Sequence, residues 1–211
     1  MLLYVYKELI SMKKIIYFAL LCAAVLTGCN EKEETGGKSF VPLEELPADY
    51  TLHDAKADGC VILENGDVTS GQNFWDSFVE QSKRDEDAYV RYCHYYTIED
   101  PSRYAPEYYE EIKDEYPKMY VFDLNYDAAS NTYTVRHFEE DREITESYKY
   151  LMRYEDTPES ASATYISCTR YVLTNDNTVS WDDISYGMYS SQFGDYIEHT
   201  SVYYDYIYKD E

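Results

Sequence analysis

Positive charge is scarce in this 211-residue chain. It carries 18 Lys and Arg against 41 Asp and Glu, a net −23, and its pI lies near 4.4. Nothing in such a chain offsets phosphate repulsion, which argues against a nucleic-acid binder. The same deficit argues against attachment to anionic lipid through a basic patch. There is no C-x-x-C, so a thioredoxin-like or zinc-ribbon reading has no support. There is no G-x-S-x-G elbow and no H-E-x-x-H, and the four histidines (His53, His94, His137, His199) are not closely paired. His94 and His137 fall in expected strands and read as sheet-surface residues rather than bases. Asp176 to Asp183 resembles the second half of a calcium loop. Counting back, however, puts Val172 at the first ligand position, where its side chain has no oxygen to give. No cofactor and no metal is expected. Paired carboxylates carry no information, because a chain this acidic always has some pair at any required separation.

Long apolar runs are also missing. Spanning a bilayer takes about 20 such residues, whereas Ile15 to Leu26 is a run of 12. It follows Lys13 and Lys14 and ends in Leu26-Thr27-Gly28-Cys29. A basic start and a short apolar core describe a signal peptide. The L-T-G-C ending resembles the lipobox of bacterial lipoproteins. That resemblance implies cleavage between Gly28 and Cys29 and a diacylglyceryl group on the Cys29 sulfur, often with a further acyl group on the new N-terminus. Two or three acyl chains hold a protein firmly where one is marginal. The alternative, a buried core helix with a chance cysteine, does not account for the basic flank. Residues 1–11 add a second apolar patch interrupted by Glu8, and Met12 is the expected start. Residues 1–28 thus read as a signal peptide. The expected location is extracytoplasmic, at the outer face of the plasma membrane, with the membrane as a partner through lipid on Cys29.

Processing at Cys29 would remove Lys7, Lys13, Lys14 and Glu8 and leave 15 basic and 40 acidic residues in 183, a net −25. A negative membrane surface repels such a domain, so the lipid has to hold it there. Residues 29–47 are polar, with a Gly pair and two prolines, and read as a flexible tether. Residues 48–211 are expected to form a single domain. Cys60, Cys93 and Cys168 remain, an odd number, so at least one thiol stays free within a monomer. Export permits disulfides. The simpler reading is three reduced, buried, small hydrophobes.

Along the domain, Asn65-Gly66 marks a tight hairpin within 60–69. A helix is expected from about Gly71 to Lys83, capped by Ser70, with Phe74, Trp75, Phe78 and Val79 on one stripe. Residues 88–98 are rich in β-formers. Asp100 to Pro117 reads as an acidic loop with one helical stretch near Glu107–Asp114. Tyr120 to Tyr126 and Tyr133 to His137 alternate on either side of a turn at Asp127–Asn131. Further strands are expected at 148–154, 163–173 and 202–208, with a short helix from Trp181 to Ser190. The fold class is α+β: a mostly antiparallel sheet with one main amphipathic helix packed on it and short extra helices. The hairpin 118–138 and the strand 148–154 are expected to be neighbours in one meander, with Tyr148, Tyr150 and Tyr154 in the core and Lys149, Leu151 and Arg153 toward solvent.

Three stretches carry a resemblance: A-x-x-D-G-x-V-I-x-x-N-G-x-V at 55–68, V-R-x-x-x-Y-Y-T at 90–97, and W-D-D-I-S-Y-G-M-Y-S-S-Q from Trp181. Together, from about Tyr50 on, they resemble an uncharacterised domain of secreted lipoproteins from Gram-positive bacteria. The resemblance implies export and the α+β fold, and it supplies no activity and no site residues.

What the chain has in abundance is tyrosine, 27 in all and 24 after Cys29. Strand propensity explains most of them. Exposed tyrosines, as in antibody paratopes, make adhesive surfaces. Loops carry binding more often than sheet interiors, so the ligand surface is expected at Tyr104, Tyr108, Tyr109 and Tyr116. Its acidic surroundings suit a neutral or cationic ligand. The reading is an extracytoplasmic binding module for a glycan, a peptide or a partner protein. A secreted hydrolase using acidic residues and a structural partner of an envelope complex are the alternatives. A deep pocket with convergent carboxylates of raised pKa would favour the enzyme, and a tyrosine-rich face would favour binding.

Overall fold

Asn65 and Gly66 both adopt positive φ, 50° and 101°, as a two-residue hairpin turn demands. The turn joins β1 (Val61–Glu64) to β2 (Asp67–Ser70). The remaining strands are β3 (Ala88–Tyr96), β4 (Lys118–Asp127), β5 (Thr132–Glu139), β6 (Arg142–Tyr148), β7 (Tyr150–Asp156), β8 (Tyr165–Thr174) and β9 (His199–Tyr208). The helices are α1 (Leu52–Asp58), α2 (Gln72–Lys83), α3 (Pro106–Ile112) and α4 (Trp181–Tyr189). The computed structural model describes residues 40–158 and 163–209, which belong to one compact unit. The expected signal peptide, Gly28, Cys29 and the first part of the tether lie outside the described residues.

The class is α+β with mostly antiparallel sheets. Six strands form one sheet in the order β2-β1-β3-β4-β5-β6, and three form another, β7-β8-β9. The one parallel pair among the described strands is β1 with β3. Parallel neighbours need a crossover, and the β2 hairpin arm plus α2 provide it. Gly71, not Ser70, stands at the N-cap of α2, at φ 80° and with no side-chain cap. A Cβ there would lie 2.5 Å from the Cys60 carbonyl oxygen and 2.8 Å from the Val61 Cα. The helix start is therefore seated on the backbone entering β1.

Both faces of the larger sheet are covered. On one, Val61, Leu63, Val90, Tyr92, Leu124 and Val135 pack with Trp75, Phe78 and Val79 of α2 and with Leu173, Val202 and Tyr203 of the smaller sheet. Trp75 stacks on Tyr203 at 4.5 Å and meets Tyr171 edge-on at 5.2 Å. Phe74 departs from the expected stripe. It is 43% exposed, with its ring over Gly59. On the other face Cys60, Ile62 and Cys93 are covered by Ala55 and Leu52 of α1 and by Tyr50 and Phe40. Leu43, in a 3-10 turn at Leu43–Glu45, is also buried. Residues 40–47, expected as tether, thus lie on the sheet as a strap, and the folded domain begins upstream of residue 48.

The meander expected at 118–154 ends at Tyr148. β5 pairs with β6, which the sequence reading did not anticipate, and the chain then changes sheets at Lys149, whose N–H donates to Asn175. Tyr148 is core, as expected, but Leu151 rather than Tyr150 packs toward the main core. Tyr154 lies on the opposite face, donating its hydroxyl to the Val179 carbonyl beside Trp181 of α4. Leu151 is partly buried because the switch gives β7 a new sheet to pack from, and with it a new inside.

Candidate tyrosine surface

The segment between β3 and β4 is built by local capping. The Asp100 carboxylate accepts from the Ser102 N–H at 2.8 Å and starts a 3-10 turn. Pro106 then opens α3, where its missing N–H is harmless. Tyr104 lies 6.2 Å from Tyr108 and 6.1 Å from Tyr109, ring centre to ring centre. Tyr108 is 53% exposed, and Tyr104, Tyr109 and Tyr116 are half-buried. Three of the four expected tyrosines thus form one cluster. Tyr116 stands apart, with the Lys118 ammonium 5.1 Å over its ring. The nearby cations are engaged: Lys113 with Glu110, Lys118 with Glu115, Arg103 with Glu99. Glu107 and Glu111 have no ion pair among the described residues.

A second group, not foreseen, lies on and beyond α4. Tyr189 is 86% and Tyr186 66% exposed, with Met188 and Tyr196 exposed nearby in sequence. The two tyrosines are three apart and share a helix face, while Ile184 and Gly187 turn inward. That spacing was visible in the sequence.

His94 is a correction. It is buried, not on the sheet surface, within rings of Tyr92, Phe122, Tyr96 and Tyr204 at 5.5–6.1 Å. Burial pushes its pKa down to about 4. The Tyr96 and Tyr204 hydroxyls reach its Nδ1 at 3.5 and 3.4 Å. Tyr204 continues into a row with Tyr206 and Tyr208 on β9, each step 6.0 Å. Beside that row, burial and then the neighbouring Asp67 charge raise the Asp205 carboxyl above the usual range. The two carboxylates stand on β2 and β9, two elements in contact whose proximity no local pattern announces.

On the strap face, Arg91 and Asp123 lie directly opposite each other on β3 and β4. Nε–Oδ1 is 2.6 Å and Nη2–Oδ2 3.0 Å, with the Tyr89 hydroxyl donating to Oδ1 at 2.5 Å. The Phe40 ring roofs the guanidinium at 4.8 Å. Two residues along β3 from Arg91, Cys93 shares a buried cluster with Cys60. All three domain cysteines are free and buried.

The recess at the β5–β6 turn is lined by Glu139, Glu140, Asp141 and Arg142, and Arg142 is spent on Glu139 at 3.1 Å. Among the described residues no cluster of three or more His, Cys, Asp or Glu could hold a metal ion. Among them, too, no helix is long and apolar enough to cross a membrane. Comparison with protein-family profiles, curated proteins and solved structures finds no match.

Proposed function

We propose that the protein is an exported lipoprotein, anchored through acyl groups on Cys29, whose domain binds a neutral or cationic ligand outside the plasma membrane. The anchoring reading is carried by one observation: a 12-residue apolar run after two lysines that ends in Leu-Thr-Gly-Cys. The binding reading is supported by the Tyr104–Tyr108–Tyr109 cluster at the start of the acidic helix α3. Tyrosine faces attract ammonium groups, and Lys118 already sits so over Tyr116. Expressed in a Gram-positive host, the chain should partition into detergent and Cys29→Ala should remain unprocessed. Normal anchoring of Cys29→Ala would end the lipoprotein reading. In an NMR titration with oligolysine or envelope glycans, resonances of residues 104–111 should move first. Shifts confined to Tyr186 and Tyr189 would transfer the site to α4.

A further inference from the structure

We propose that the outer face of α4 is a second docking surface, one that takes an arginine-bearing segment of a partner protein. The inference rests neither on the lipid anchor nor on the α3 cluster. Its template lies in the same helix. Trp181 opens α4, and the Arg170 guanidinium of β8 lies 4.0 Å over its ring. The Asp156 carboxylate of β7 stands beside that guanidinium at 3.6 Å. One aromatic face and one carboxylate thus hold an arginine where α4 meets the smaller sheet.

The outer face repeats these parts with no cation on them. Asp182, Tyr186 and Tyr189 stand at i, i+4 and i+7, so a carboxylate and two rings follow one another along one face. Both rings are mostly in water. Asp182 is exposed and has no ion pair among the described residues. Gly187 lets the returning chain at Asp195 and Ile197 lie directly against the helix. Tyr196, between those two residues, is exposed as well.

Charge selects the occupant. From Tyr171 to Tyr208 there is neither Lys nor Arg, against Asp176, Asp182, Asp183, Asp195, Glu198 and Asp205. Asp176, Asp183 and Asp195 are spent on nearby hydroxyl groups. Asp182 and the exposed Glu198 are left to attract a cation. A second copy of this chain does not suit the face, because each copy carries a net −23. Arginine suits it better than lysine. A planar guanidinium stacks on a ring while its fork donates to a carboxylate, and it gives up water more readily than an ammonium. Tyrosine and arginine are also the side chains that interfaces favour.

The test titrates the full chain, in non-ionic detergent at about 0.15 M salt, with a Gly-Arg repeat peptide and with its Gly-Lys counterpart. Backbone NMR should place the arginine-induced shifts at residues 182–189 and 196, and the arginine peptide should bind more tightly than the lysine one. Tyr186→Ala and Tyr189→Ala should each weaken arginine binding about two- to five-fold. Asp182→Asn should weaken it too, and all three should keep the wild-type melting temperature. Tyr108→Ala should leave arginine binding unchanged, so failure of the α3 site and failure of this surface read out separately. No binding, equal affinity for the two peptides, or shifts confined to residues 104–111 would overturn the proposal. Self-association in light scattering that Tyr186→Ala abolishes would overturn it as well, by assigning the face to a second copy. The wild-type comparison of the two peptides decides the matter even where a variant fails to fold.

Discussion

Asp123→Ala should be among the most destabilising single changes in this domain. The side chains of Arg91 and Asp123 are 1% and 8% exposed, and two hydrogen bonds join them. Burial by itself works against the Arg91 charge, and the hydrogen bond and attraction from Asp123 more than restore it. The alanine leaves that charge under the Phe40 ring with no counter-ion. The Tyr89 hydroxyl loses its acceptor as well. Breaking one partner of a buried pair costs about 3–5 kcal/mol, whereas an exposed pair is worth about 0.2–1 kcal/mol. With a urea m-value of about 2 kcal/mol/M, the midpoint should fall by roughly 2 M. Arg91→Met with Asp123→Leu removes both charges and keeps the volume, so it should regain most of the loss. Urea unfolding followed by tyrosine and tryptophan fluorescence measures all three proteins. A loss below about 1 kcal/mol for Asp123→Ala would refute the reasoning, because it would mean water reaches the pair.

Gly71→Ala should lower the melting temperature, since the left-handed backbone alone costs about 1–3 kcal/mol and its Cβ would meet the Cys60 carbonyl oxygen; calorimetry checks it. His94 stays neutral in the fold down to about pH 4 but protonates near 6.5 when unfolded. Between those values the unfolded chain binds the extra proton, so this group's contribution is full above pH 6.5. It is lost as pH falls toward 4, up to about 3 kcal/mol. The difference in stability between wild type and His94→Gln should shrink over that window, and a constant difference would contradict it. Asp67→Asn should bring the Asp205 carboxyl back toward its ordinary range in a carbon-detected NMR titration, burial alone then holding it up. Tyr108→Ala should weaken oligolysine binding while leaving the melting temperature unchanged, because that ring is mostly outside the fold.

Sequence reading succeeds where a local rule is decisive. Asn65-Gly66 needs two positive φ values and shows them. The alternation on either side of Asp127–Asn131 becomes β4 and β5 in the expected register, Leu124 opposite Val135. It fails where the deciding contact is remote. From Arg142 to Asp156 the chain has neither Gly nor Pro, and a period of two runs on unbroken, so nothing local marks the change of sheet at Lys149. The strap looks like a linker by composition, yet two apolar residues, Phe40 and Leu43, suffice to lay it on the sheet. His94 reads as a surface residue because the partner that buries it, Tyr204, is 110 positions away. Of the exposed tyrosine groups, the sequence indicates the α3 cluster by its prolines and carboxylates. The equally plain i, i+3 pair on α4 is obscured there by the helix's buried side.

The tyrosines sort themselves by what their hydroxyls do. A ring in the core contributes area like phenylalanine, but its O–H has to find a partner at the edge of the packing. Tyr126 reaches Asp85 and Asn131, both at 2.9 Å. Tyr148 pairs with Thr200 at 2.9 Å and Tyr203 donates to Gln72 at 2.5 Å. Tyr154 and Tyr89 donate to the Val179 carbonyl and to Asp123. These rings are explained by folding, because they let a sheet covered on both faces end in polar atoms at its rim. Tyr108, Tyr186 and Tyr189 differ. Their rings are mostly in water, and their hydroxyls have no hydrogen-bond partner among the described residues. Substituting them should leave folding almost untouched, so the fold does not account for a large aromatic ring at these positions. A ligand held against the ring faces would.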